Sequence, residues 1–212
     1  MRKYIIAILI IVLLTTTGVY QTQSNLIEIQ NKNTEVQQTI KLKPPEPNPI
    51  NPDILKVQQI TNWPIEITTY FVNEANARNV DIFQEALPLA SIETGGTYDF
   101  SLINYNTNGT TDQGLFQIND ISYIDIVKLL KLEGREFESW DRLNPELNIA
   151  AGICWIAHLK DAHQLEEHSL FTSYHRGIYG AKDYASRSGS YVSSYSKKVK
   201  EVKNELNVIV FH

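Results

Sequence analysis

The feature that most limits how this chain can fold is a proline-rich stretch, KPPEPNPINP, at residues 43–52. It holds five of the eight prolines in the 212-residue chain, and the residues before it, from Gln21 onward, are mostly Gln, Asn, Thr and Lys. Such segments have too few apolar residues to build a core and behave as linkers. We therefore predict a polar and Pro-rich linker over 21–62, with a short helix near its end, and one folded domain over 63–207.

The N-terminus carries the pattern of a targeting segment. Two basic residues in MRKY precede a run of ten apolar residues, IIAILIIVLL, which fades through TTTGVY. The run is short for a bilayer span of about 20 residues, yet no clear small-residue cleavage site follows it. Residues 1–20 are therefore predicted to be either a signal peptide or a membrane anchor, with membrane contact through 5–20 if they are not cleaved. Both alternatives place the remainder outside the cytoplasm.

The amino-acid composition argues against several classes of function. A net charge of −5 and a pI near 5.5 oppose nucleic-acid binding, which draws most of its affinity from a positive surface. The single cysteine, Cys154, allows no disulfide framework and is expected to be buried. His158, His163 and His168 recur every five residues, a spacing that does not share a helix face, so we expect solvated side chains, no metal and no cofactor. We expect a monomer.

Beyond the linker the pattern is mostly helical. Apolar residues recur at spacings of three and four, with Asp81 placed to cap one helix and Pro145 suited to the first turn of another. The Asn108-Gly109 pair favours a tight turn between short strands within 102–119. The predicted fold class is α+β, predominantly α, with one small β-hairpin.

Glu93 is the candidate for acid catalysis. It ends the apolar helix ALPLASIE, inside which Pro88 predicts a kink, and Gly95 and Gly96 follow it. Apolar burial and the negative end of a helix dipole both disfavour an ionised carboxylate. A carboxyl group with a raised pKa can protonate the leaving oxygen of a glycosidic bond.

Four ordered motifs, SIETGG, GLFQIND, NIAAGICWIAHL and SYHRG, resemble the transglycosylase SLT domain of bacterial and phage lytic transglycosylases. The resemblance covers roughly residues 85–203 and implies a lysozyme-like fold that acts on peptidoglycan glycan strands. It implies that Glu93 is the catalytic acid and base. It also implies substrate-binding roles for Thr94, Gln117, Asn119, Tyr174 and His175. The family usually has Ser and Asn where this chain has Thr94 and His175.

The stretch NTNGTTDQGLFQIND is also similar to the hairpin of animal-type lysozymes, in which an aspartate precedes the glycine. That similarity makes Asp112 a possible second carboxylate. Three hypotheses follow: a lytic transglycosylase that forms a 1,6-anhydro-muramic end, a muramidase that hydrolyses the same bond with the help of Asp112, and a wall-binding protein without turnover. Asp112 is equally explained as a hairpin residue that holds the turn by hydrogen bonds.

Overall fold

The computed structural model describes residues 50–211 of the chain. In this part the chain forms seven α-helices, a π-helical turn and a small antiparallel sheet. The α-helices are α1 (Pro52–Thr61), α2 (Ile65–Ala77), α3 (Leu87–Glu93), α4 (Asp120–Leu132), α5 (Pro145–His163), α6 (Glu167–Ser188) and α7 (Ser194–Phe211). The prediction of a predominantly α, α+β fold is confirmed. The predicted signal or anchor at 1–20, and the linker up to Pro49, lie outside the described residues.

The sheet consists of β1 (Ile103–Tyr105), β2 (Thr111–Gln113) and β3 (Ile118–Asn119), in that spatial order. β1 and β2 form the predicted hairpin, with Tyr105 opposite Thr111. Gly109 has a φ of 82°, which the turn requires and which glycine adopts without strain. The third strand, β3, was not predicted; it pairs with β2 and places Asn119 opposite Asp112.

The folded unit extends further toward the N-terminus than the predicted start at residue 63. Helix α1 begins at Pro52 and is capped by Asn51, whose side chain accepts a 2.9 Å hydrogen bond from the backbone N–H of Asp53. Ile54 and Val57 are buried in the core that also contains Trp63. Helix α1 is the short helix predicted near the end of the linker, and it belongs to the folded unit because Ile54 and Val57 are spaced to share one helix face that packs into the core.

The polypeptide reaches Glu93 through a π-helical turn, Ile82–Ala86, that continues into α3. Asp81 caps the turn as predicted, since its carboxylate accepts hydrogen bonds from the backbone N–H groups of Phe83 (3.0 Å) and Gln84 (2.9 Å). Pro88 is near the start of α3, directly after the change from π to α winding, and not in the helix interior where a kink was predicted. Because Leu87, Leu89 and Ala90 are fully buried, the end of α3 is fixed by the core.

Helix α5 is buried on most of its surface and holds the sheet against the helices. A Cβ atom at Gly152 would lie 2.1 Å from the ring of Phe116, so the missing side chain is what allows that ring to pack against the helix. Asn148 is fully buried. Its side chain accepts a hydrogen bond from the backbone N–H of Phe116 (2.9 Å) and donates to the carbonyl oxygens of Gln113 (2.9 Å) and Arg142 (2.7 Å). Helix α5 therefore fixes the segment that joins β2 and β3.

Helix α6 bends at Gly177, whose φ of 69° and ψ of 164° are not helical. This conformation is restricted to glycine. Within residues 50–211, no helix combines the length and the apolar character needed to cross a membrane.

Candidate active site

A cleft of about 570 Å³ lies between the end of α3, the sheet, α4 and the bend of α6. This volume falls in the range of pockets that hold small ligands. Six of the seven predicted site residues line the cleft: Glu93, Asp112, Gln117, Asn119, Tyr174 and His175. The chain therefore brings together residues that are separated by up to 82 positions, and Thr94 is the predicted site residue that does not line the cleft.

Glu93 is partly buried at the C-terminal end of α3, with its carboxyl group facing the cleft. Burial raises the pKa of Glu93 to about 7. The nearby charge of Asp112 also raises this pKa, whereas a hydrogen bond from Tyr195 lowers it. At neutral pH the carboxyl group is thus close to half protonated, which suits a residue that both donates and accepts a proton.

Tyr195, on α7, belongs to the site, although it was not among the residues predicted from the sequence. Its hydroxyl group donates a hydrogen bond to Oε1 of Glu93. Burial, together with the charge of Glu93, holds the pKa of Tyr195 well above its ordinary value, so the phenol remains a donor. It lies in YVSSYSKKVKEV, where the helical pattern indicates an amphipathic helix but gives no sign of which tyrosine faces Glu93.

Asp112 faces the cleft from β2 and is held by two amide side chains. Its Oδ2 atom accepts a hydrogen bond from Asn106 (3.0 Å), and its Oδ1 atom accepts one from Asn119 (2.6 Å). Asn119 also caps α4 by accepting a hydrogen bond from the backbone N–H of Ile121 (2.9 Å). The carboxylate is therefore fixed in orientation by groups that belong to the hairpin, while it remains in the wall of the cleft.

Gln117 lines the cleft, but its amide is occupied by the sheet. Its Nε2 atom donates to the carbonyl oxygens of Gly114 (2.8 Å) and Leu102 (3.2 Å), and its Oε1 atom accepts from Asn104 (2.8 Å). Only 9% of the residue is exposed. Both N–H donors are used, so only the remaining acceptor position of Oε1 is left for a ligand.

Thr94 stabilises the end of α3 and does not reach the cleft. Its hydroxyl donates to the carbonyl oxygen of Ala90 (2.7 Å) and accepts a hydrogen bond from the backbone N–H of Tyr98 (2.9 Å). The residue is 4% exposed. The Thr94 hydroxyl thus has a backbone-capping role in this chain.

Tyr174 and His175 enter the cleft from α6, just before the bend. The Tyr174 hydroxyl donates to the carbonyl oxygen of Phe116 (2.8 Å). Burial and the charges of Glu93 and Asp112 raise the pKa of Tyr174 well above its ordinary value. The His175 ring stacks on Tyr195, with ring centroids 4.3 Å apart and planes inclined by 8°. Partial burial and the neighbouring Arg176 lower the pKa of His175.

The remaining histidines and the cysteine lie elsewhere. His163 is exposed, as expected for a solvated side chain. His158 is half-buried, with its ring 5.3 Å from those of Trp155 and His163. His168 is also half-buried, and its Nδ1 atom shares a 2.9 Å hydrogen bond with the hydroxyl of Ser196, so the expectation of solvated histidines holds only for His163. Cys154 is buried, and burial raises the pKa of its thiol to about 11. Among residues 50–211, no group of three or more His, Cys, Asp or Glu side chains is arranged to hold a metal ion.

No protein-family model matches this chain, and no curated protein matches it.

Proposed function

We propose that the chain is a peptidoglycan lytic transglycosylase with Glu93 as its acid and base. The observation that carries the proposal is a carboxyl group with a pKa of about 7, which burial raises, facing a cleft of about 570 Å³. The four ordered sequence motifs and the predominantly helical fold with its small sheet support the same family. The proposed substrate is the glycan strand of the cell wall, outside the cytoplasm.

In the proposed reaction, protonated Glu93 gives its proton to the oxygen that joins N-acetylmuramic acid to N-acetylglucosamine. The bond between that oxygen and C1 of the muramic residue breaks, and the sugar ring takes on oxocarbenium character. The Glu93 carboxylate then accepts the proton of the muramic C6 hydroxyl, whose oxygen bonds to C1. The product is a 1,6-anhydro end, and water is not consumed.

Two features of the cleft and one of the proposed substrate support these roles. The hydrogen bond from Tyr195 holds the Glu93 carboxyl group in one orientation. The fixed Asp112 carboxylate faces the same cleft, where a negative charge stabilises a cationic sugar ring. A C6 hydroxyl already attached to the reacting sugar has a high effective concentration, so a single carboxylate suffices for the chemistry.

A muramidase is the second candidate, and the position of Asp112 in the same cleft as Glu93 is the observation that favours it. In that reaction Asp112 attacks or stabilises C1, and water completes the cleavage. Both candidates require a proton from Glu93, so they differ in the product and not in the acid. A wall-binding protein without turnover is the third candidate.

Digestion of purified peptidoglycan tests the proposal directly. The wild type is expected to release fragments with 1,6-anhydro ends, which mass spectrometry identifies because they are lighter by one water than hydrolysed ends. Glu93→Gln fills the same space but cannot donate the proton, so it should lose cleavage and retain glycan binding. Hydrated ends would favour the muramidase, and binding of glycan by the wild type without any cleavage would favour the wall-binding protein.

A further inference from the structure

Arg176 lines the cleft, and its side chain carries a permanent positive charge. The other charged side chains there include three carboxylates, those of Glu93, Asp112 and Asp125. Arg176 is exposed, and its guanidinium forms no ion pair with any residue of the 50–211 part of the chain. A charge that is not neutralised by the protein, in a cleft otherwise rich in carboxylates, is available to a ligand.

The guanidinium is also held in place. Its carbon atom lies 4.7 Å from the ring centroid of Tyr184, two turns further along α6. Gly180 lies between them, and a Cβ atom there would be 3.2 Å from Cβ of Arg176, so the glycine leaves room for the arginine side chain to lie along the helix. The Tyr184 hydroxyl donates to the carbonyl oxygen of Val192 (3.2 Å), which fixes the supporting ring.

Stacking on a ring uses the face of a guanidinium and leaves the N–H groups at its edge free to donate. These donors match a carboxylate in a bidentate arrangement, and a side chain that is already ordered loses less entropy when it binds. A neutral sugar hydroxyl would not need such a charge. The chemistry of this part of the cleft therefore fits an anionic group on the ligand.

We infer that Arg176 binds a carboxylate of the glycan substrate and so distinguishes muramic-acid-containing strands from uncharged polymers of N-acetylglucosamine. The inference rests on the proposed function, because it takes a peptidoglycan strand as the ligand. Two sources supply the carboxylate: the lactyl group of muramic acid where no peptide is attached, and the peptide stem where one is. Both present the same chemistry to the guanidinium.

Binding measurements in the Glu93→Gln background test the inference independently of turnover. Calorimetric titration would use three soluble strands: one with peptide stems, one from which an amidase has removed the stems, and one of the latter kind whose lactyl carboxylates have been converted to methylamides. Arg176→Ala should weaken binding of a carboxylate-bearing strand about tenfold, the range of a hydrogen bond to a charged group, and the loss should vanish on the neutralised strand. Lys182→Ala removes an equal charge from an exposed position on the same helix, outside the cleft, and should leave all three affinities unchanged.

The pattern across the strands identifies the source of the carboxylate. A loss confined to the amidase-treated strand assigns the lactyl group, and a loss confined to the stem-bearing strand assigns the peptide. Arg176→Lys, which keeps the charge without the planar fork, should restore only part of the affinity. Equal losses on all three strands, or no loss on any, would overturn the inference. Failure of the wild type to cleave any strand would instead count against the proposed function, since these affinities do not depend on cleavage.

Discussion

The hydroxyl group of Tyr195 donates a hydrogen bond to the Glu93 carboxylate, although the two residues are 102 positions apart. Tyr195 is in the first turn of α7, so the C-terminal helix completes the site that α3 begins. The bond favours the ionised carboxylate, whereas burial disfavours it more strongly, and the balance gives a pKa of about 7. The same tyrosine ring packs flat against His175, so one side chain orients two groups of the cleft.

The bond between Tyr195 and Glu93 predicts a shift in the pH profile of Tyr195→Phe. Catalysis needs protonated Glu93, so activity should fall as pH rises through about 7. Loss of the phenol donor removes an interaction that lowers the pKa of Glu93. We therefore expect the basic limb of kcat/KM, which reports the ligand-free protein, to move to higher pH, with a lower maximum because the carboxyl group is less well oriented.

Rates of glycan cleavage between pH 5 and 9 measure this shift. Tyr105→Phe removes the hydroxyl of an 82% exposed tyrosine on β1 and should leave the profile unchanged. A basic limb that stays in place or moves to lower pH in Tyr195→Phe would show that the bond does not control the protonation of Glu93.

The buried carboxyl group should also make stability depend on pH. The pKa of Glu93 is raised from 4.5 to about 7, so the folded chain holds a proton between these values that the unfolded chain releases. The stabilisation linked to this proton is complete below pH 4.5 and is lost as pH rises through 7, by on the order of 3 kcal/mol. Glu93→Gln removes this dependence, so the variant should be more stable than the wild type at pH 8, with the difference shrinking toward pH 5.

Urea unfolding at both pH values gives the comparison, with Glu201→Gln as an exposed control on α7. The prediction depends on the sign of the difference in the free energy of unfolding between Glu93→Gln and the wild type at pH 8. A Glu93→Gln variant that is less stable than the wild type at pH 8 would mean that the folded protein favours the ionised form of Glu93 and does not disfavour it.

The local features of the site could be predicted from the sequence, but the contacts between residues that are distant in the chain could not. Apolar spacing and capping residues such as Asp81 indicated the helices, because these signals act within one or two turns. The Tyr195 contact joins distant elements, and no local pattern indicates it. Thr94 was assigned to the substrate by resemblance, but its hydroxyl bonds to backbone groups within four residues. A hydroxyl at the end of a helix can serve either role, and only the tertiary structure distinguishes them.

Gln117 was assigned to substrate binding by resemblance, but its contacts predict that it also stabilises the fold. Its amide makes three hydrogen bonds inside the sheet. Gln117→Ala leaves the Gly114 carbonyl oxygen without this donor, which should lower the free energy of unfolding by about 1–3 kcal/mol. Asn104→Ala removes only one of the three bonds and should have a smaller effect. Thermal melts that match the wild type, together with reduced cleavage, would restore the interpretation of Gln117 as a substrate contact.

Asp112 decides between the transglycosylase and the hydrolase. Both of its hydrogen-bond partners are amide donors, and Asn119 cannot turn its amide without giving up its bond to the Ile121 N–H. Asp112→Asn therefore keeps one bond with Asn119 and presents its new N–H group to Asn106, whose amide can accept it only by turning away from Thr110. Because the C6 hydroxyl supplies the nucleophile in the proposed route, we expect activity to fall modestly through lost stabilisation of the cationic ring, with 1,6-anhydro ends still the main product.

Loss of the Asp112 charge also removes an interaction that raises the pKa of Glu93, so the basic limb of the pH profile should move to lower pH, opposite to the shift in Tyr195→Phe. Mass spectrometry of the digests distinguishes 1,6-anhydro ends from hydrated ends. If the wild type instead leaves hydrated ends and Asp112→Asn is as inactive as Glu93→Gln, Asp112 is the nucleophile or essential stabiliser of a muramidase.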